Sequence, residues 1–540
     1  MDRRRGSVHH ATGRRTPALV LAGVALAAAA CGTRVGPPTG SASTEQGVGA
    51  QPGAVAAPVG SNAAPVAVPT AASSAGAVAV PPGGALPGGA QPSSASAPAS
   101  GGGGSTSGSG STGGSAKAGP TAKASGPSGV PIGLIYAKDL GALGAAFGGT
   151  GAVPLPTDQQ QIDWWNAVVK YVNGQGGLLG HPIAPVFYGA SVTSTTSAID
   201  QEECSTFTQD NHVFGVLGTL AHTDALPTCL QAAHALLLDP GGYSSYDTNS
   251  FNQFPLYAAT GALNLNDVAR AEVNGLFQQG YFAKDKTYTS GKIGLVSFDS
   301  PAFQRAIDQS LVPALAAHGL KLTDHVYVPP VQSAQDAFTI QQPITNAALR
   351  FATEGIDHVM FLDIEGATVF NWDQAENAQH YYPRYGLTTN EQLGAHTSST
   401  GCACGSDPSV VWGNALAVGW DYVDDQYGQS FPVNATGAVC NKIVQAAGAS
   451  QVQAESYWQQ CDQLLLLQKM VNAGGQLTAT AAVQGLSKVN GLALAEHLGA
   501  VSYQNGRRDG VGVVSFMQFH SDCECMRYAG KPFPLSSLLS

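Results

Sequence analysis

Basic residues are scarce in this chain: 25 Lys and Arg against 36 Asp and Glu leave a formal net charge of -11. That balance excludes nucleic acid and anionic surfaces as partners, because phosphate recognition needs concentrated positive charge. Long apolar runs are missing too. The N-terminal stretch Ala18–Ala30 has 13 residues, whereas a membrane-spanning helix needs about 20. Catalytic signatures are absent: there is no Gly-x-Ser-x-Gly elbow, no His-Glu-x-x-His, no Gly-x-x-x-x-Gly-Lys and no complete dinucleotide fingerprint. Gly141 and Gly144 alone are too little for a phosphate loop. No nucleophile stands beside a base in the sequence, so the chain reads as a non-enzyme without a cofactor.

What is present starts at the N-terminus. Arg3, Arg4, Arg5, Arg14 and Arg15 precede the short apolar stretch, which marks residues 1–30 as a signal peptide. Arg14 and Arg15 also admit twin-arginine export. The stretch ends in Ala28-Ala29-Ala30-Cys31, which resembles the bacterial lipobox and predicts cleavage before Cys31 and lipidation of its thiol. Removing those thirty residues, with their five Arg and one Asp, takes the net charge to -15. Residues 31–129 follow as a linker of Gly, Ser, Ala, Pro, Thr and Val that cannot bury enough apolar surface to fold. A flexible chain of that length spans roughly 50–60 Å, enough to lift a domain away from a membrane. Anchor and tether together predict a lipid-anchored protein on the extracytoplasmic face of the cell membrane.

Eight further cysteines, at 204, 229, 402, 404, 440, 461, 523 and 525, fit an oxidising compartment and four disulfides. Sequence proximity favours Cys204 with Cys229 and Cys440 with Cys461. It leaves Cys402 and Cys404 to meet Cys523 and Cys525. The two Cys-x-Cys pairs could instead build a tetrathiolate zinc site, against which the compartment and the spacing weigh. The expected metal content is therefore none.

From residue 130 onward short apolar runs alternate with amphipathic stretches, the pattern of an α/β fold with parallel sheets. Buried strands are expected at Ile132–Tyr136, Ile183–Tyr188, Val213–Leu217, Ala235–Asp239, Ile293–Phe298, Val359–Leu362 and Val511–Phe519. Thr157 and Gln160 form a capping box for a first helix whose core face is Ile162, Trp165, Val168, Val169 and Val172. An internal echo links Ile132-Gly-Leu-Ile-Tyr-Ala-Lys-Asp139 with Ile293-Gly-Leu-Val-Ser-Phe-Asp-Ser300, as two similar lobes would. After the second copy, Pro301 opens a helix that puts Phe303, Ile307, Leu311 and Leu315 on the core. Trp164, Trp165, Trp372, Trp412, Trp420 and Trp458 sit in apolar patterns and read as core rather than as stacking platforms.

Several of these segments together resemble the type I periplasmic binding proteins, specifically the leucine/isoleucine/valine-binding family of ABC importers. They are Ile132–Tyr136 with the Gly-rich run Gly141–Gly148, Val172-Asn-Gly-Gln-Gly-Gly-Leu-Leu-Gly-His181, Leu238-Asp-Pro-Gly-Gly-Tyr-Ser244 and Tyr457–Leu467. The resemblance covers residues 130–540. It implies two doubly wound lobes joined by crossover strands, lobe 1 at about 130–262 and 389–500 and lobe 2 at about 263–388 and 501–540, with a small solute held between them. Strand-end loops are then the candidate site: Thr219, His222, Thr223, Gly242, Tyr243 and Ser244 in the first lobe, and Asp299, Phe303, Asp363, Glu365, Thr389 and Asn390 in the second. The resemblance makes Phe303 the aromatic over the substrate. It leaves Asp363 or Glu365 to offer a contact for a cationic group. The implied role is a monomeric solute-binding lipoprotein for a small polar, amino-acid-like solute, delivering it to an ABC permease. A ligand sensor using the same clamshell with a signalling partner is the alternative.

Overall fold

The computed structural model describes residues 129–140, 155–218, 222–240, 245–331, 336–364, 366–393, 407–422, 425 and 430–540. Val130–Lys138 (β1), Ile183–Ser191 (β2), Gly215–Leu217 (β3), Leu236–Asp239 (β4) and Tyr257–Ala259 (β5) form one sheet of order β2-β1-β3-β4-β5. Every pairing in it is parallel. Parallel neighbours require a crossover on a face of the sheet, and helices such as Asp158–Gly174, Thr196–Cys204 and Ala225–Ala232 supply it.

The first of these helices shows how the sequence does this. Thr157 Oγ1 accepts from the Gln160 amide at 3.2 Å while Gln160 Oε1 accepts from the Thr157 amide at 2.9 Å, which is the expected capping box. The buried face holds Gln161, Trp164, Trp165, Val168, Val169 and Val172. Trp164 takes the place expected for Ile162, which is only half-buried. The Trp165 indole donates to the Ile135 carbonyl at 3.0 Å, fastening the helix to β1.

The second sheet contains Ile293–Phe298 (β6), Leu322–Val328 (β7), His358–Leu362 (β8), Arg384–Thr388 (β9) and Leu416–Gly419 (β10), all parallel. Asn490–Ala493 (β11) and Ala500–Ser502 (β12) make a separate antiparallel ribbon. Val513–His520 (β13) and Cys525–Pro534 (β14) complete the second sheet, whose order is β14-β13-β10-β9-β8-β6-β7. Val511–Phe519, expected as one more buried strand of a parallel sheet, runs antiparallel to β10. No crossover helix delivers it; the chain enters from β12 and turns straight back into β14 as a hairpin.

Each sheet has its own core, and neither lobe is one continuous piece of chain. The first-lobe core joins Trp164, Trp165 and Val168 to Tyr457, Trp458, Leu464 and Leu467 from the helix Trp458–Gly474 and the residue before it. The second runs from Leu263 and Leu265 through β6, β8 and β9 to Trp420, Met517 and Leu538. The sequence reading returned the chain to lobe 1 at about residue 389. The return comes later, after β10, because β10 pairs with β9 and Trp412 and Trp420 lie in the second core. Among the described residues no helix is long and apolar enough to cross a membrane.

Two disulfides join Cys204 to Cys229 and Cys440 to Cys461, with Cα atoms 6.0 and 6.1 Å apart, as sequence proximity suggested. The third corrects the expectation. Cys523 bonds Cys525, Cα to Cα 5.2 Å, and Cys402 and Cys404 lie outside the described residues. At the tip of the β13–β14 hairpin Glu524 adopts φ 49, a left-handed turn that brings the flanking thiols together. That bond also removes two of the four thiolates a zinc site would need. The Cys440–Cys461 bond, separation 21, ties two helices of the first-lobe core. Replacing both cysteines with alanine is expected to lower the unfolding free energy by about 3 kcal/mol, read from urea unfolding of oxidised protein.

Candidate functional site

Three segments carry the chain between the lobes. Residues 260–264 lead from β5 into the helix Leu265–Gln278 of the second lobe, residues 420–434 lead from β10 back to the first, and residues 503–512 lead from β12 to β13. Two of these start at the carboxyl ends of parallel strands, so the carboxyl edges of both sheets converge on the crossings. Ligands of open α/β sheets bind outside that edge. The space between the two edges is therefore the candidate site.

On the first edge the structure brings His222 and Thr223 together with Asp239 at the end of β4. His222 Nε2 lies 3.2 Å from Asp239 Oδ2, and Tyr257 donates its hydroxyl to the same oxygen at 2.6 Å. The Tyr246 hydroxyl is 3.3 Å from His222 Nδ1, and both tyrosine rings stand edge-on to the imidazole. Thr223 donates its amide and hydroxyl to Asp200 Oδ2. Burial alone would lower the His222 pKa, but the hydrogen bond and charge of Asp239, with Asp200 behind it, raise it overall. The first edge is thus a connected network whose carboxylate side, Asp239, is the more exposed: 14% against 5% for His222. Thr219, Gly242, Tyr243 and Ser244 lie outside the described residues.

The second edge corrects the sequence reading. Asp363 is fully buried and spends its carboxylate on the following helix, accepting from the Thr368 amide at 2.7 Å, the Thr368 hydroxyl at 2.6 Å and the Ile364 amide. Burial pushes its pKa up to about 7, although those hydrogen bonds oppose the shift. Its carboxylate thus holds the first turn of the helix Ala367–Gln379. Asn390 is also internal, donating to the Asp363 carbonyl at 2.6 Å, and Thr389 Oγ1 accepts from the Trp420 amide. Phe303 is 2% exposed and packs edge-on against Phe298 in the core, not at the open edge of the sheet. A short aromatic after a strand looks the same in sequence whether it faces a ligand or the sheet. Among the described residues of this set only Asp299 is exposed, its carboxylate receiving the Gln304 side-chain amide at 2.8 Å. Glu365 lies outside the described residues.

Sequence reasoning missed the groups that join the lobes. Asp247, fully buried, caps the helix Thr248–Gln253 of the first lobe and accepts a two-pronged ion pair from Arg305 of the second, at 2.5 and 3.0 Å. In the third crossing Arg508 donates to the carbonyls of Phe251, Phe254 and Tyr257, while Asp509 accepts the Asn264 amide at 3.1 Å and its side chain at 2.7 Å. Crossings one and three are thereby bound to each other. The signal available was Arg507-Arg508-Asp509, a charged run between glycines in a chain only 11% charged.

Two doubly wound lobes, three crossings and two carboxyl edges meeting between them define the type I periplasmic binding protein fold. Solved substrate-binding proteins of ABC transporters share it. The protein from Aeropyrum pernix is 12% identical and superposes with a TM-score of 0.52 over 76% of this chain and 96% of its own. That from Rhodopseudomonas palustris BisB5, in complex with 3,4-dihydroxy benzoic acid, is 12% identical with a TM-score of 0.51 over 75% of this chain and 97% of its own. One from R. palustris in complex with 4-hydroxybenzoate is 14% identical with a TM-score of 0.50 over the same shares, 75% and 97%. No family model and no curated protein matches the sequence.

Proposed function

We propose that this chain is an extracytoplasmic solute-binding lipoprotein, anchored through Cys31 and tethered by residues 31–129, that captures a small polar solute between its lobes and hands it to an ABC permease. It works as a monomer and catalyses no reaction. The observation that carries this reading is the convergence of both carboxyl edges on one set of crossings, with the polar network of His222, Asp239, Tyr246 and Tyr257 at the first edge. Binding proteins of the same fold are described with benzoates. Here the first edge carries the carboxylate of Asp239, and a negative group suits a solute with an ammonium, as an amino acid has.

A thermal-shift screen of the oxidised protein against amino acids, amides, short peptides, sugars and aromatic acids tests this. A solute at a hundred times its dissociation constant should add about 2.7 kcal/mol of stability. The shift should shrink strongly in Asp239→Asn, which keeps the shape and removes the charge. A hit indifferent to D239N would place the solute elsewhere, and silence across the whole panel would sink the transport reading.

A further inference from the structure

His497 sits in the first-lobe connection between β11 and β12, 4% exposed, with Nδ1 3.3 Å from the Asp421 carboxylate in the second crossing. Its ring edge is pressed on Gly261 in the first crossing: a Cβ placed on Gly261 would lie 1.7 Å from both Cε1 and Nε2. Nε2 finds no hydrogen-bond partner there, so packing alone holds that edge. The segment bearing the ring is firmly held. Leu498 donates to the Trp420 carbonyl at 3.0 Å, the Tyr422 amide donates to Glu496, and Asp462 of the first-lobe helix accepts the amides of Ala495 at 2.7 Å and Glu496 at 3.0 Å. Behind Gly261 the first crossing backs onto the third: Tyr503 donates to the Thr260 carbonyl at 2.8 Å, and a Cβ on Gly510 would come within 2.3 Å of that same oxygen.

The first and second crossings therefore meet at one imidazole, with the third packed behind the first. Any rotation of one lobe against the other displaces the first crossing relative to the second, and so slides the Gly261 backbone along the ring. We propose that the contact between His497 and Gly261 is the mechanical stop that sets the angle between the lobes. This rests on reading the lobes as a hinged clamshell. Gly261 does not have a positive φ, so alanine is allowed there by the backbone, and the three atoms nearest the added methyl all belong to the imidazole.

The test uses the full chain with spin labels attached through non-natural amino acids at the exposed positions Lys170, in the first lobe, and Leu349, in the second. Gly261→Ala should move the mean interlobe distance by several ångströms. The double variant Gly261→Ala/His497→Ala should return it toward the starting value, because the clash is gone. His497→Ala alone should broaden the distribution. A folded G261A protein with an unchanged distribution overturns the proposal, as does a shift that H497A fails to reverse. Where G261A does not fold, the width in H497A decides: broadening supports the stop and an unchanged width overturns it. A wild-type distance that responds to no solute in the screening panel would count against solute capture while leaving the stop to stand or fall on these variants.

Discussion

Trp165→Ala is expected to lower the unfolding free energy by about 3–5 kcal/mol, the upper range for truncating a buried aromatic. The indole is fully buried, donates to the Ile135 carbonyl at 3.0 Å and stands edge-on to Tyr457 at 5.8 Å. It therefore joins β1, an inner strand of the first sheet, to a residue almost three hundred positions later. Refilling the gap is hard, because Gly218 already approaches the same ring so closely that a Cβ there would be 2.8 Å from it. Urea titration followed by tryptophan fluorescence and circular dichroism reads the loss. A cost below about 1 kcal/mol, the ordinary mean for a point change, would mean that the two distant segments hold together without this residue.

Acidification from pH 8 to pH 5.5 should raise the melting temperature. Burial lifts the carboxyls of Glu203, Glu272, Glu376, Glu391, Asp421 and Glu496 well above their ordinary range, Asp363 to about 7 and Asp462 to about 6. A carboxyl whose folded pKa exceeds its unfolded one binds more protons folded than unfolded. Its favourable contribution is complete below the unfolded pKa and is lost as pH rises through the folded value. Asp363 alone accounts for up to about 1.4 kcal/mol per pH unit between pH 5 and 7. His325, lowered to about 4 by burial, and His497, also lowered by burial, work the other way below pH 6.5, since each is held neutral in the fold. Two imidazoles do not offset that many carboxyls. Calorimetry across the range checks the sign, and Asp363→Asn should flatten part of the slope. A melting temperature that stays level or falls on acidification would show that the buried carboxyls are ionised and solvated.

Fold class was legible because local and long-range cues agree in particular segments. The Thr157 and Gln160 box, the matching runs Ile132–Tyr136 and Ile293–Phe298, now β1 and β6, and the six buried tryptophans all follow from hydrophobic period and capping chemistry. The strands β5 and β10, of three and four residues, were not read from the sequence, and missing β10 displaced the lobe boundary. The candidate site was far less legible. Asp363 and Asn390 stand at strand ends, where a ligand contact was expected, yet both side chains are buried and bond neighbouring backbone. Type and position cannot distinguish a carboxylate that caps a helix from one that meets a solute. His222, in the loop after β3, instead meets Asp239 at the end of β4.

The splitting of both cores across the chain bears on the order in which the protein can be built. A chain emerging N-terminus first completes the strands β1 to β5 early, but the helices that cover one face of that sheet arrive only with Ala435–Leu486. The second sheet waits longer still: β13 and β14 come from the last thirty residues, and the Leu538 carbonyl, two residues from the end, accepts from Asn274 at 2.7 Å. The first half therefore cannot seal before residues 435–486 have emerged, and the second not before β13, β14 and Leu538, so each sheet stays part-covered until its distant partners arrive.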